Sequence, residues 1–331
     1  MKKLIIITMI FSLAFCLFAC GKAESEMSTE AKTTIPSEST SSNETNKPTD
    51  NTFTTVKPNP VQITIPKPNL AEGETYTGRK ALPLVDFKVN DPDNERGLST
   101  EKRGYGFGVS KNAVPNQMSV ANQKFYDDKG FNSFCLDTKT TEKVLYLTFD
   151  CGYENGYTAK ILDTLKEKNV PSAFFCTLPQ VKDYPELIAR MINEGHIVGN
   201  HSIKHQSFPT LTRTQMMNEI KGMDDYLRTY FGYSEPFFRF PMGENSDNSI
   251  DLVGSLGYSC VFWSTAYSDW DLKAQKGADY AFDTVTSRLH PGAVILLHSV
   301  SPDNSNALGR IIDWAKTEGY TFKSLRDFPK Q

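Results

Sequence analysis

Asp150 and Cys151 close the apolar run at residues 144–149, and about fifty residues later His201 and His205 stand four apart. A carboxylate, a thiol and two imidazoles supply a general base and up to three soft ligands, the parts of a metal-assisted hydrolase. The i, i+4 spacing predicts both rings on one face of a helical turn, a recurrent zinc geometry. Arg239 follows between Phe238 and Phe240, Asp269 precedes Trp270, and His298 closes the apolar run 294–297. Only five histidines occur, at 196, 201, 205, 290 and 298. His196 and His290 read as structural. His298 differs, because a strand buried on both faces does not leave an imidazole without a partner. Singly, Asp150 could cap a turn and Arg239 could serve a structural ion pair; the ordered set is what carries chemistry.

Positioning such a set requires strands that end together. Apolar runs at 144–149, 171–176, 196–199, 237–239, 258–263 and 293–297 read as strands, with helices over 155–169, 183–194 and 212–231. The last helix opens on a capping box, Thr212 with Gln215, and keeps Met216, Ile220, Met223 and Leu227 at helical spacing. Alternating strands and helices predict a parallel sheet, either a closed barrel or an open doubly wound sheet. Asp150, His201, Arg239, Asp269 and His298 fall at or just past the C-terminal ends of five proposed strands. An open sheet gathers its ligand contacts at one switch point, whereas a barrel gathers them around its rim. The spread favours a closed (β/α) barrel. No glycine-rich phosphate loop occurs, so nucleotide binding has no support.

The chain begins with Met1, Lys2 and Lys3, then an apolar stretch to Phe18, the layout of a secretory signal. At about 15 residues the stretch is short for a spanning helix, which needs about 20. It ends at Leu17, Phe18, Ala19 and Cys20, which resembles a lipoprotein signal cleaved before Cys20, with a lipid on the sulfur. Residues 20–80 are rich in Ser, Thr, Pro and charge and read as a disordered tether that buries too little to offset its entropy. Residues 81–140 read as an N-terminal extension packing on the barrel, and 141–331 as the catalytic domain. The formal charge of −3 becomes about −5 once Lys2 and Lys3 are removed, which gives no support for nucleic-acid binding. The protein is expected to work as a monomer on the outer, wall-facing side of a bacterial cell membrane.

The ordered motifs resemble the polysaccharide deacetylase family, also known as the NodB homology domain or carbohydrate esterase family 4. The motifs are Thr148–Gly152, the pair His201 and His205, the turn Arg239, Pro241 and Gly243, the Asp269–Trp270 pair, and Leu296 to His298. Residues 104–108, 152–158, 262–270 and 290–301 resemble one branch more closely, the delta-lactam-biosynthetic muramic-acid de-N-acetylases. The resemblance implies a distorted barrel with seven strands that removes N-acetyl groups from N-acetylmuramic acid in peptidoglycan. Deacetylation of N-acetylglucosamine polymers or acetylated xylan is the alternative, and a non-catalytic glycan-binding lipoprotein is the alternative of another class.

Roles follow from the same resemblance. A divalent metal, zinc by its donor set, would sit on His201 and His205. Asp150 would be the general base, oriented by Arg239, and His298 the general acid, held charged by Asp269. A backbone N–H near Met242 would help an oxyanion site. Trp263 and Leu296 would wall the acetyl pocket, and Pro241 and Met242 would meet the sugar. The departure from the family is Cys151, which stands where most members carry a third, aspartate ligand. It either coordinates as a thiolate, fills the position without coordinating, or pairs with Cys135, Cys176 or Cys260 in a disulfide.

Overall fold

The computed structural model describes residues 70–329. The expected signal peptide, Cys20 and most of the tether lie outside the described residues.

The central strand is β2 (Val144–Cys151), and all eight of its side chains are buried. Strand alternation divides them between two faces. Leu145, Leu147, Phe149 and Cys151 point to one cluster, which also holds residues of α2 (Thr158–Lys168), α4 (Pro185–Asn193) and α8 (Pro302–Thr317). Val144 and Tyr146 point the other way, into a smaller cluster with Phe175, Val294 and Leu296. Thr148 and Asp150 share that second parity, so the strand delivers Asp150 inside the curl and sends Cys151 outward under the helices.

The other strands are β1 (Ser133–Phe134), β3 (Ala173–Cys176), β4 (Ile197–Asn200), β5 (Phe237–Phe238), β6 (Ser259–Val261), β7 (Ala293–His298) and β8 (Thr321–Phe322). They run in the order β1-β6-β5-β4-β3-β2-β7, with β8 added beside the start of β2. Every pairing between them is parallel. The seven-strand path curls until its ends meet: Thr265, just past β6, bridges Ile295 of β7, and Leu136, just past β1, bridges Ala293. The result is the distorted seven-stranded (β/α) barrel expected from the sequence, with β8 as an added flank.

Four local features differ from expectation. The helix expected over 183–194 is α4, but an unexpected short helix, α3 (Leu178–Asp183), precedes it, and Pro185, which disfavours helical backbone at Tyr184, separates the two. The extension does more than pack on the barrel. It supplies α1 (Gln117–Lys129) and then β1, which pairs with β6 as a member of the sheet. The tether, expected to reach residue 80, is anchored earlier. Tyr76 N–H donates to Tyr230 O at 2.8 Å and Thr77 Oγ1 to Phe231 O at 2.6 Å, at the end of α5 (Arg213–Phe231). The fourth is the His201–His205 segment, which is not a helical turn. Helix α5 itself starts as expected, with both hydrogen bonds of the Thr212–Gln215 capping box formed.

Candidate active site

The β2–β7 register places Asp150 directly beside His298 at the same end of the sheet. Arg239 arrives from the residue after β5 and is fully buried. Its Nη1 donates to Asp150 Oδ1 at 2.8 Å, its Nε to Val261 O at 2.9 Å and its Nη2 to Phe262 O at 3.4 Å, while the guanidinium lies 4.1 Å from the centre of the Phe175 ring. Burial is the largest single influence on the Asp150 pKa and pushes it up. The charge and hydrogen bond of Arg239, together with the charges of His201 and His298, outweigh it and leave the carboxyl below its usual value of 3.8. Asp150 is therefore ionised at neutral pH and can accept a proton.

On the other side, His298 Nδ1 lies 2.7 Å from Asp269 Oδ1, and its backbone N–H donates to Asp269 Oδ2 at 2.7 Å. Burial pulls the His298 pKa down, yet the hydrogen bond and charge of Asp269 outweigh that and raise it above 6.5. The pairing fixes the proton on Nδ1 and turns Nε2 away from Asp269. One carboxylate is thus held charged by an arginine, and one imidazole is held protonated by a second carboxylate, across a shared cleft. Such a separation of pKa values suits one group to accept a proton and the other to give one.

His201 and His205 complete the cleft. His201 Nδ1 lies 2.8 Å from Arg239 O, which fixes the tautomer and leaves Nε2 free, 3.7 Å from Asp150 Oδ2. Burial brings the His201 pKa down to about 4 and lowers that of His205, so both rings are neutral at pH 7. The rings sit edge to face with centroids 4.8 Å apart. They meet because Ser202 and His205 both adopt left-handed backbone, at φ 71° and 55°, rather than helical geometry. The loop is held by Glu219, whose Oε2 accepts from Ile203 N–H at 3.0 Å and Lys204 N–H at 2.8 Å, and by Ser202 Oγ, which accepts from His205 N–H at 3.0 Å. Strained backbone at non-glycine residues persists where surrounding contacts over-determine it, typically at functional sites.

Two neutral imidazoles, one with its far nitrogen tied to a carbonyl, fit a divalent ion. Cys151 does not join them. It is fully buried in the outer cluster, opposite Cys176 in the β2–β3 register, and it does not line the cleft. Among the described residues no group of three His, Cys, Asp or Glu is arranged to hold an ion. The expected Cys151, His201 and His205 ligand set is therefore not assembled, because strand parity sends Cys151 to the face opposite Asp150. The disulfide alternative is not formed either, as Cys135, Cys151, Cys176 and Cys260 are all free and buried.

The cleft has a volume of about 1230 Å³. Trp263, Leu296 and Met242 line it, Met242 with its side chain exposed and its backbone left-handed at φ 57°. Pro241 does not line it; it is buried at the start of the turn Pro241–Gly243. Three exposed aromatic side chains at the rim, Tyr153, Trp270 and Tyr280, offer flat surfaces to a ligand. Sequence reasoning missed Glu219, although a carboxylate on the buried stripe of Met216, Ile220 and Met223 was a readable signal. It gave no role to Tyr267, although the stretch 262–270 carried the resemblance, and it missed Asn304, which no local pattern marks.

A buried carboxylate and a buried imidazole of opposite tuning, beside two neutral histidines at the C-terminal rim of a curled parallel barrel, are the parts of a metal-assisted hydrolase. The family model for polysaccharide deacetylase matches residues 137–261. The chain is 47% identical over 231 residues to the peptidoglycan-N-acetylmuramic acid deacetylase PdaA of Bacillus subtilis, covering 70% of this chain and 87% of that one. A peptidoglycan-N-acetylglucosamine deacetylase of Bacillus cereus is 34% identical over 185 residues, covering 54% of this chain and 66% of that one. The solved structure of Bacillus subtilis PdaA, a family 4 carbohydrate esterase, superposes with a TM-score of 0.66 at 41% identity, covering 70% of this chain and 98% of that one. The chain belongs to the polysaccharide deacetylase family and is a hydrolase of that class.

Proposed function

We propose that the protein removes the N-acetyl group from N-acetylmuramic acid in peptidoglycan, leaving an amine that can close to the muramic delta-lactam. The similarity to PdaA along most of its length carries this reading. In it, the protein acts as a monomer on the wall-facing side of the cell membrane, held by a lipid on Cys20 and a tether.

The chemistry needs an activated water, a stabilised oxyanion and a proton for the amine. A divalent ion held by His201 and His205 would polarise the acetyl carbonyl and make bound water more acidic. Asp150, kept ionised by Arg239, takes the proton of the attacking water. His298, kept charged by Asp269, gives its Nε2 proton to the nitrogen as the C–N bond breaks. Trp263 and Leu296 exclude water around the acetyl methyl, and the exposed aromatics at the rim support the neighbouring sugars of a strand.

The N-acetylglucosamine alternative draws on the 34% identical Bacillus cereus relative. Purified glycan strands, with and without stem peptides, separate the two. Muramic residues should lose acetate and then cyclise, and free glucosamine as sole product would reject the muramic reading. The non-catalytic alternative has no use for two opposed acid–base pairs, and absence of acetate release from either sugar is the result it requires.

A further inference from the structure

Asp269 is held by more than His298. Its Oδ2 also accepts from Nδ2 of Asn304, the third residue of α8, which is fully buried. The same Nδ2 reaches His298 O at 3.4 Å, and Asn304 Oδ1 accepts from Tyr267 Oη at 2.5 Å. A carboxamide can face either way, and its partners decide which. Tyr267 supplies a donor on one side and Asp269 an acceptor on the other, so the amide nitrogen must face Asp269. The backbone of Asn304 is fixed as well, its N–H donating to Ser301 Oγ, the N-cap of α8, at 3.2 Å. Ser301 Oγ in turn donates to Gln275 Oε1 at 2.8 Å, and Gln275 Nε2 donates to Asp269 O at 2.8 Å. None of these residues besides Asp269 and His298 has a part in the chemistry described above.

We propose that Asn304, oriented by Tyr267, is a positioning residue for proton delivery, fixing the Asp269 carboxylate so that His298 Nε2 faces the leaving nitrogen. The inference rests on His298 as the general acid. In the step concerned, the C–N bond of the collapsing tetrahedral centre breaks, its electron pair passes to nitrogen, and nitrogen takes the Nε2 proton. His298 keeps its Nδ1 proton toward Asp269. With the Asn304 carboxamide removed, Oδ2 retains only the His298 backbone N–H, and the carboxylate is free to rotate away from Nδ1.

The position of the acid matters only where the leaving group needs a proton. Nitrophenolate leaves 4-nitrophenyl acetate without one, whereas the amine of a glycan does not. The full-length protein and its Asn304→Leu and Tyr267→Phe variants are assayed on both substrates, beside Asp150→Asn and His298→Ala, with melting temperature as a check on folding. Asn304→Leu should lower kcat on acetylated glycan by about 10- to 100-fold, less than the 10²–10⁴ of a whole general acid, with KM within about twofold and nitrophenyl acetate hydrolysis nearly unchanged. Tyr267→Phe, which keeps the ring, should show a smaller loss with the same selectivity, and Asp150→Asn should lose both activities. Equal loss on both substrates, or no loss on glycan, overturns the proposal. If His298→Ala is selective for glycan and the Asn304 and Tyr267 variants are not, positioning alone falls. If His298→Ala loses both activities equally, the assignment of His298 as the acid falls and takes the inference with it.

Discussion

Replacing Arg239 with methionine keeps most of the side chain's volume and strands the Asp150 carboxylate. Arg239 is fully buried and Asp150 is only 7% exposed, so water from the cleft reaches one edge of the carboxylate but does not fill the place of the guanidinium. Breaking such a pair from one side costs about 3–5 kcal/mol. Val261 O and Phe262 O lose donors in the same change. A loss of about 4 kcal/mol is a large share of the roughly 5–15 kcal/mol that holds a domain folded. The sign of the pH dependence makes the reasoning specific. With Arg239 present the Asp150 pKa lies below 3.8, so its contribution is present above the unfolded value and lost as pH falls through the folded one. Without Arg239, burial is the dominant influence and raises that pKa. The variant's penalty is then full at neutral pH and relieved as acid protonates the carboxyl. Urea unfolding of chelator-treated wild type and Arg239→Met at pH 7 and pH 5 measures this. The stability gap should narrow by about 1 kcal/mol or more on acidification, since one pKa unit is about 1.4 kcal/mol. A second substitution, Asp150→Asn, should recover much of the loss. A gap that stays constant with pH, or is below about 1 kcal/mol at pH 7, refutes the reasoning.

Asp269→Asn should remove the influence that raises the His298 pKa, moving the basic limb of the kcat/KM profile to lower pH, with glycan turnover down about 10²–10⁴-fold; an unmoved basic limb contradicts it. Cys151→Ala should cost about 1 kcal/mol from the outer core and leave bound metal per chain unchanged, whereas loss of metal would make the thiol a ligand. Glu219→Ala leaves the Ile203 and Lys204 N–H groups without their acceptor, so it should cost about 1–3 kcal/mol and weaken metal retention through the His201–His205 loop. Equilibrium dialysis with zinc tests that last effect.

Much of the barrel was legible because buried parallel strands write themselves as apolar runs, and because the ends of those runs carried Asp150, Arg239 and His298. Their pairings are set by register and by side-chain reach, which agreed with the motif order. The His201–His205 spacing misled, since i, i+4 suggests a helix while two left-handed residues and Glu219 build a loop instead. Cys151 misled for a related reason. Adjacency in sequence to Asp150 suggested adjacency in the site, whereas successive strand residues face opposite ways. The first strand of the sheet was hidden because two residues, Ser133 and Phe134, carry no periodicity. Asn304 was hidden because its role comes from the N-terminus of α8 folding back onto the end of β7.

The most direct test is the product of a single incubation. Stem-peptide-free glycan strands are treated with the wild-type protein or with Asp150→Asn, then digested and resolved by mass spectrometry against the acetate released. Expected is acetate in equal amount to new free-amine or lactam muramic residues with the wild type, and none with Asp150→Asn. Acetate matched by free glucosamine, or release that survives Asp150→Asn, would contradict the assignment of this cleft as a muramic-acid deacetylase site with Asp150 as its base.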